Sequence, residues 1–307
     1  MNNYQLIAFD MDGTLLNSDK QISPETLNAI KRAGDAGKTV ILCTGRNLAE
    51  LNAFTEIIPG LRYLDCVSGA CVYDLKEKKT LYSQALDPGI VKKLMEFALE
   101  EEAMIHVLSE RSIVQRDQQS HMADFHMGIY QTMFDKITDK LENIYNSFCQ
   151  EPFPVLKLNL YHKDEYSRAR TVERIKAAGL ETALALAEST SLECSAKGIN
   201  KGVGLKKLCE HLGLPLEQTI AVGDADNDTM ALKTAGLSIA MGNATEPIKA
   251  LADVIVADCD HNGCAEAIDK YLLAENQPQK QVQERLREDI KYNGGIKYYE
   301  DQNCNFK

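Results

Sequence analysis

The sequence predicts an α/β protein in which a Rossmann-like core with a parallel sheet is interrupted by an inserted α+β domain. A strand, a helix and a strand follow one another within about forty residues near the N-terminus, and this pattern returns beyond residue 200. Between these segments the helices and strands alternate less regularly. Because a βαβ unit implies parallel strands, the two outer segments predict one sheet and the middle segment a separate unit.

The first βαβ unit is defined by its apolar runs and helix boundaries. Residues 6–9 form an apolar run that stops at Asp10, which is typical of a buried parallel strand. Ser23, followed by proline, predicts a helix N-terminus, and Gly37 predicts the helix end. The apolar run at residues 40–43 is predicted as the next strand.

The C-terminal half of the core shows the same kind of pattern. Its predicted elements are a helix at 203–212, a strand at 219–222, a helix at 230–235, and strands at 237–241 and 254–256. We expect these strands to join the N-terminal strands in one sheet.

The middle segment predicts the inserted domain. Its elements are a helix at 91–101, strands at 104–108 and 113–116, a helical stretch with polar interruptions, a strand at 155–160, a helix at 165–178 and a strand at 182–186. Insertions are tolerated where chain ends lie close together on a surface. We therefore predict a core from residues 1–84 and 190–273, interrupted by an insertion at residues 85–189.

The C-terminal segment, residues 274–307, differs in composition. Gln, Glu, Lys and Arg dominate it up to residue 288, and apolar residues recur there at a spacing of four. The pattern predicts a polar tail that contains one short amphipathic helix.

The charge of the chain limits its partners. The formal net charge of −11 disfavours nucleic acid and anionic membranes, because both require a positive surface. A small anionic substrate would need a local cluster of positive charge or a bound cation. We expect such a substrate, and either a monomer or a homodimer.

Cysteine spacing and the N-terminus indicate the compartment. The nine cysteines include no Cys-x-x-Cys pair, so neither a disulfide framework nor a zinc site is predicted. The N-terminus lacks the basic region of a signal peptide, and no apolar run approaches the length of a membrane span. The expected location is cytoplasmic.

Two carboxylates follow the first predicted strand. Asp10 and Asp12 are two residues apart, and Gly13 allows the loop to point backbone amides at an anion. Ligands bind at the carboxyl ends of strands in open α/β sheets. Two like charges at this point would repel each other unless a cation lay between them, so we expect a hard cation, Mg²⁺.

With its neighbours, this motif resembles the signature of the haloacid dehalogenase superfamily, a strand followed by Asp-x-Asp-Gly-Thr. Further motifs occur in the family's order, and several of them are similar to those of the Cof-type branch (subclass IIB). These motifs are Thr44 in residues 42–46, Lys201 in 198–202, the acidic motif at 223–228, and residues 241–244 and 262–263. The resemblance covers the chain up to about residue 273 and implies that the insertion is a cap of the C2B type.

The resemblance implies roles for the acidic residues. Asp10 would be the nucleophile and form an aspartyl-phosphate, and Asp12 would act as general acid and then base. Asp10, the backbone carbonyl of Asp12 and Asp224 would hold Mg²⁺, and Asp228 would orient these ligands.

It also implies a phosphate-binding set, because phosphoryl transfer requires charge neutralisation on the transferred oxygens. Thr44 and Lys201 would contribute, together with the backbone amides of Met11, Asp12 and Gly45, and the side chain of Asn227 would reach either the phosphate or Lys201. Two interpretations of Arg46 stay open, a phosphate or substrate contact and a structural ion pair.

Two neighbouring features are interpreted differently. Lys197 is expected to be a solvated loop residue, and Asp226 an exposed turn residue. Ser68 stands where the Cof-type branch usually has asparagine, which leaves the hydrogen bonding of that turn open.

The favoured function is a Mg²⁺-dependent phosphatase acting on small phosphorylated metabolites such as sugar phosphates or nucleotide- and cofactor-related phosphates. The alternatives are a phosphomutase of the same superfamily and a non-catalytic phosphate-binding protein.

Overall fold

The strands and helices follow one another in an order that builds two sheets. A computed structural model describes residues 4–187 and 190–274. Apart from residue 274, the predicted polar tail with its amphipathic helix lies outside the described residues.

The strands of the described residues are listed here in chain order. They are β1 (Leu6–Phe9), β2 (Thr39–Cys43), β3 (Tyr63–Cys66), β4 (Cys71–Asp74), β5 (Lys79–Ser83), β6 (Met104–Leu108), β7 (Ser112–Gln115), β8 (Thr138–Leu141), β9 (Lys157–Tyr161), β10 (Thr182–Ala187), β11 (Ser191–Ala196), β12 (Thr219–Gly223), β13 (Leu237–Ala240) and β14 (Val254–Ile255).

The α-helices connect these strands. They are α1 (Pro24–Asp35), α2 (Leu48–Thr55), α3 (Pro88–Glu100), α4 (Arg116–Gln119), α5 (Gln131–Ile137), α6 (Ile144–Gln150), α7 (Glu165–Ala177), α8 (Lys201–Leu212), α9 (Thr229–Thr234), α10 (Glu246–Leu251) and α11 (Gly263–Ala267). Short 3₁₀ helices lie at Val67–Gly69, Met122–Phe125, Gly128–Tyr130, Leu216–Gln218, Asp226–Asp228 and Cys259–His261, and a π-helix at Ile268–Leu272.

The first sheet has eight strands in the order β14-β13-β12-β1-β2-β3-β4-β5. The pairs from β14 to β3 are parallel, whereas β4 and β5 add to the edge in antiparallel fashion. The central strands β1 and β12 are buried along their whole length, as expected for parallel strands covered on both faces. The predicted α/β class with a parallel sheet is confirmed.

The second sheet has six strands in the order β10-β11-β9-β6-β7-β8. Its pairs are antiparallel except for β7 and β8. The predicted insertion ends at residue 189, yet β11 (Ser191–Ala196) pairs with β9 and β10 in this sheet. The chain therefore returns to the eight-stranded sheet only after residue 196. Neither β8 nor β11 is part of the pattern derived from the sequence.

Each sheet has its own apolar core, and the six-stranded sheet has two different faces. Leu158 and Leu160 of β9 pack with residues of α3, α6 and α7. The alternate positions of β9, Lys157, Asn159 and Tyr161, lie on the opposite face because side chains alternate along a strand. Within the described residues, no helix combines the length and apolar character that crossing a membrane requires.

Candidate active site

The predicted site residues follow strands that are neighbours in the eight-stranded sheet. Asp10 comes directly after β1, Thr44 after β2 and Asp224 after β12, and β1 pairs with both other strands. Lys201 is the first residue of α8. Parallel pairing brings the strand ends to one edge, so residues up to 214 positions apart lie in one place.

A buried lysine lies between two carboxylates at this edge. The Nζ atom of Lys201 donates to Asp10 Oδ1 at 2.5 Å and to Asp228 Oδ1 at 2.6 Å, and all three side chains are buried. Asp228 Oδ2 accepts the backbone amides of Asp224 and Ala225 at 2.9 and 3.1 Å. Asp228 therefore fixes the lysine and the loop that carries Asp224.

The pKa of Asp10 reflects this crowding. Burial raises the pKa to about 7, against the opposing charge of Lys201 and with the charges of Asp228 and Asp224 adding to the shift. Asp10 therefore lies close to the balance between its proton-bound and ionised forms at neutral pH.

Asp224 is held against the first loop. Thr14 Oγ1 donates to Asp224 Oδ1 at 2.7 Å, and burial raises the pKa of Asp224 to about 6. Gly13 has φ +83°, and a Cβ atom there would lie 2.4 Å from Asp224 Oδ2. Only glycine leaves room for the carboxylate at this point.

The acidic residues form a set that fits a hard cation. Carboxylate oxygens of Asp10, Asp224 and Asp228 lie within 4.8 Å of one another. In the described part of the chain only one lysine lies among these three carboxylates, and burial together with the charges of the neighbouring carboxylates raises the pKa values of Asp10 and Asp224. Oxygen donors with unbalanced negative charge are the ligands that Mg²⁺ and similar cations prefer.

Asp12 lies in a different environment from Asp10. Arg46 donates from Nε and Nη2 to the two Asp12 oxygens, both at 2.9 Å, and Lys20 Nζ donates at 2.9 Å. Burial alone would raise the pKa of Asp12, but the hydrogen bonds and charges of Arg46 and Lys20 bring it below its usual value. Asp12 is ionised here, and Arg46 makes an ion pair with it.

The loop after β2 is supported by a second loop. Backbone amides of Val67 and Ser68 donate to the carbonyls of Arg46 and Thr44 at 2.9 and 3.0 Å. Ser68 has φ 57°, a conformation that asparagine also adopts more readily than most residues. Ser68 therefore supports the turn through its backbone amide, and its Oγ atom accepts a hydrogen bond from Lys157 Nζ at 3.4 Å.

The six-stranded sheet contributes a buried lysine that the motifs do not include. Lys157 is 1% exposed, and its Nζ atom donates to the backbone carbonyl of Gly45 at 3.0 Å and to Glu193 Oε2 at 3.1 Å. The sequence does contain a signal for Lys157. Lys157 and Asn159 occupy alternate positions of an otherwise apolar strand, so both side chains fall on one face of the sheet.

A cavity of about 220 Å³ joins these groups. It is lined by the predicted residues Asp10, Asp12, Thr44, Gly45, Arg46 and Asn227, and further by Glu50, Leu108, Lys157, Asn159, Glu193 and Ala225. The Met11 side chain is buried beside the site, and Asp226 is exposed. Lys197 pairs with Glu181 at 2.6 Å on the surface.

Sheet and site together define a class of enzyme. The chain belongs to the family of haloacid dehalogenase-like hydrolases, whose family model matches residues 7–268. The prediction of this superfamily and of its Cof-type branch is confirmed, as is the prediction of an enzyme of its phosphatase type.

Two curated phosphatases and one solved structure are similar to this chain over most of its length. The 5-amino-6-(5-phospho-D-ribitylamino)uracil phosphatase YitU of Bacillus subtilis is 30% identical over 271 residues, which cover 87% of this chain and 97% of the relative. The HMP-PP phosphatase of Yersinia pestis is 30% identical over 274 residues, which cover 88% of this chain and 96% of the relative. The solved structure of a haloacid dehalogenase-like hydrolase from Bacteroides thetaiotaomicron is 26% identical, with a TM-score of 0.75 over 87% of this chain and 99% of that one.

Proposed function

We propose that this protein is a Mg²⁺-dependent phosphatase that hydrolyses phosphomonoesters of small metabolites, with Asp10 as the nucleophile. The observation that carries the proposal is the buried contact of Asp10 with Lys201, next to Asp224 and Asp228. The relatives support a small phosphorylated metabolite as substrate, because the names of two of them specify a ribitylaminouracil phosphate and HMP-PP.

The proposed cation site consists of Asp10, the backbone carbonyl of Asp12 and Asp224, with Asp228 orienting the set. When bound, Mg²⁺ would neutralise charge on the phosphoryl oxygens and lower the repulsion between these carboxylates. Lys201 supplies the second positive charge beside Asp10, so an anionic group is tolerated in an acidic protein.

The first step is attack by Asp10. A carboxylate oxygen of Asp10 forms a bond to phosphorus, the bond from phosphorus to the ester oxygen breaks, and Asp12 gives a proton to the departing alkoxide. In the second step Asp12 takes a proton from water, which attacks phosphorus and releases phosphate and free Asp10. Thr44 and backbone amides of the two loops bind the transferred oxygens.

The ion pairs of Asp12 place a condition on the first step. Asp12 must carry a proton to act as an acid, yet Arg46 and Lys20 hold it ionised. An incoming phosphomonoester is an anion that competes for both cations, so its arrival would raise the pKa of Asp12. Arg46 would thus serve both as the ion-pair partner of Asp12 and as a contact for the phosphate, the two interpretations that the sequence left open.

We also propose a division of labour between the sheets. The core at residues 1–84 and after the insertion carries the chemistry, and the insertion from residue 85 acts as a cap that continues through β11. Lys157, which also donates to Glu193 of the cap, connects the cap to the loop that contains Thr44 through the Gly45 carbonyl.

The test is phosphate release from p-nitrophenyl phosphate and from a panel of sugar and nucleotide-related phosphates, with Mg²⁺ and with EDTA. We expect turnover with Mg²⁺, none with EDTA, and none in Asp10→Asn, which removes the nucleophile but keeps the shape. Release of isomerised sugar phosphate instead of free phosphate would indicate a phosphomutase. Phosphate binding without turnover of any substrate would contradict the proposal and indicate a binding protein.

A further inference from the structure

Asp65 is a carboxyl group in the interior of the eight-stranded sheet that the proposed mechanism does not use. It lies on β3, which is buried along its whole length, and Asp65 itself is fully buried. Burial raises the pKa of Asp65 to about 8, so its neutral, proton-bound form prevails at neutral pH. Burying a polar group costs free energy unless its contacts compensate the loss of water, so those contacts indicate what Asp65 does.

The backbone of Asp65 holds the loop after β2. Its carbonyl oxygen accepts the amide of Thr44 at 2.8 Å. Ser68, three residues further along, donates its own amide to the Thr44 carbonyl at 3.0 Å. Both backbone groups of Thr44 are therefore fixed by the segment that starts at Asp65.

The side chain of Asp65 lies against the first turn of α8, the helix that begins with Lys201. A Cβ atom at Gly204 would lie 1.9 Å from Asp65 Oδ1 and 2.4 Å from its Cγ atom. The carboxyl group thus occupies the space that any side chain at this position of the helix would need. Glycine at position 204 is what allows the strand and the helix to approach this closely.

A thiol completes the contact between Asp65 and α8. Cys43 Sγ lies 3.0 Å from Asp65 Oδ2 and 3.9 Å from the carbonyl oxygen of Lys201. Burial raises the pKa of the Cys43 thiol well above its ordinary value, so the thiol keeps its proton. A proton-bound Asp65 can donate to the sulfur while the thiol donates to the Lys201 carbonyl, which gives each of the two protons an acceptor.

We infer that Asp65 is a positioning residue for phosphoryl transfer, whose backbone fixes Thr44 and whose side chain fixes the first turn of α8. This holds Lys201 Nζ at 2.5 Å from Asp10 Oδ1. Asp65 is not among the described residues that line the cavity beside Asp10, so it acts through Thr44 and Lys201 and not on the substrate. The inference rests on the proposed function, because the rate of phosphoryl transfer is what the position of Lys201 controls.

Substitutions at Asp65 test the inference through turnover of p-nitrophenyl phosphate. Asp65→Ala removes the contact with α8 and should lower kcat by about 10- to 10²-fold, because a small displacement of a charged group costs much of its effect on the transition state. Asp65→Asn keeps the shape, a donor and an acceptor, and should restore the rate to within about threefold of wild type. If Asp65→Asn is as impaired as Asp65→Ala, the inference is wrong.

Asp74→Ala is the matched control. Asp74 is a buried aspartate on the adjacent strand β4, where it pairs with Arg62 at 2.7 Å and lies opposite Tyr63 at the start of β3. Its removal should lower the free energy of unfolding, measured by chemical denaturation, without lowering kcat of the folded protein. A loss of kcat in Asp65→Ala no greater than in Asp74→Ala would show that Asp65 only stabilises the fold.

Gly204→Ala tests the contact from the helix side and does not depend on the folding of Asp65→Ala. The added methyl group would collide with the Asp65 carboxyl group, so Gly204→Ala should lower kcat by about tenfold or more. In the Asp65→Ala background the same substitution should cause little further loss, because the carboxyl group is absent. Losses that multiply in the double variant would contradict the contact.

A double-mutant cycle shows whether the side chain acts through Lys201. In the Lys201→Met background, Asp65→Ala should change kcat by less than about threefold, because the charge that it positions is absent. The same fold loss in both backgrounds would overturn the inference. Absence of turnover in the wild-type protein would count against the proposed function instead.

A crystal structure of Asp65→Ala tests the inference without turnover. In the wild-type protein Lys201 Nζ lies 2.5 Å from Asp10 Oδ1 and 2.6 Å from Asp228 Oδ1. We expect the first turn of α8 to shift in Asp65→Ala and at least one of these hydrogen bonds to be lost. Both bonds at their wild-type lengths would overturn the inference, whatever the outcome of the phosphatase assay.

Discussion

The core and the cap contribute polar groups to one site in different ways. At the strand ends of the core, Asp10, Lys201 and Asp228 are buried, and each is held by a contact of 2.5 or 2.6 Å. On the cap, Asn159 keeps an acceptor without a partner among the described residues, and Glu193 is 24% exposed. The core groups are fixed before a substrate arrives, whereas the cap groups have bonding capacity left for it.

The difference indicates what each part does. Charges that are held in place stabilise a transition state without rearrangement, and this preorganisation serves any phosphomonoester. Acceptors with spare capacity discriminate between leaving groups, because only some ligands satisfy them. Changes in the core should therefore alter the rate for all substrates, and changes in the cap should alter their order.

The largest effect is expected at the core lysine. Lys201→Met should lower kcat/KM by about 10²- to 10³-fold for every substrate, because it removes a charge directed at the transferring phosphoryl group. It also leaves Asp10 and Asp228 buried without the cation that they share, which costs on the order of 3–5 kcal/mol of unfolding free energy. Steady-state kinetics and chemical denaturation with saturating Mg²⁺ measure the two effects.

Lys197→Met is the matched control, since Lys197 lies four residues earlier and pairs with Glu181 on the surface. It should change neither the rate nor the stability by a comparable amount. Equal losses at the two lysines would show that the core pairing is not what carries the rate.

A smaller effect is expected where the cap contacts the core. Lys157→Met removes the hydrogen bond to the Gly45 carbonyl and should lower kcat/KM by about 10- to 10²-fold through misplacement of the loop that contains Thr44. Lys163→Met, an exposed cap lysine paired with Glu102, is the control. If Lys157→Met loses no more activity than Lys163→Met, the contact between Lys157 and Gly45 does not contribute to the rate.

The smallest effect is a linkage between protons and the cation. The folded-state pKa values of Asp10 and Asp224 are raised to about 7 and about 6, so without metal their contribution to stability is present at low pH and lost as pH rises through these values. Because Mg²⁺ binds the ionised forms, it should raise the melting temperature more at about pH 8 than at about pH 5.

Thermal unfolding at both pH values, with Mg²⁺ and with EDTA, measures this linkage. Asp224→Asn should lose most of the increment at the higher pH. An equal increment at both pH values would mean that the cation, if it binds, does not bind these carboxylates.

The sequence predicts the site residues of the core much better than those of the cap. Asp10, Thr44 and Asp224 each follow an apolar run, and parallel pairing brings the ends of such runs together by a general rule. The class of the fold follows from the same runs. The alternation of strand and helix is a local signal, and here it is sufficient to predict the α/β class of the fold.

The cap depends on pairing that local patterns do not specify. β11 follows closely after β10, and its alternation of apolar Leu192 and Cys194 with polar Glu193 indicates a strand but does not say which sheet it joins, so its pairing with β9 is decided by long-range contacts. Lys157 and Asn159 are recognisable as polar residues on one face of a strand, but only the tertiary structure shows that this face meets the core. The ion pairs of Asp12 with Arg46 and Lys20 likewise depend on tertiary contacts.

The most direct test of the account is to trap the phosphoryl group on Asp10. Asp12→Ala keeps the nucleophile but removes the acid and base, a contribution of about 10²- to 10⁴-fold. With p-nitrophenyl phosphate, whose leaving group needs no proton, we expect a burst of p-nitrophenolate stoichiometric with enzyme, then slow turnover. Mass spectrometry of the acid-quenched protein should find one phosphoryl group on the peptide that contains Asp10. No burst and an unmodified peptide would contradict Asp10 as the nucleophile.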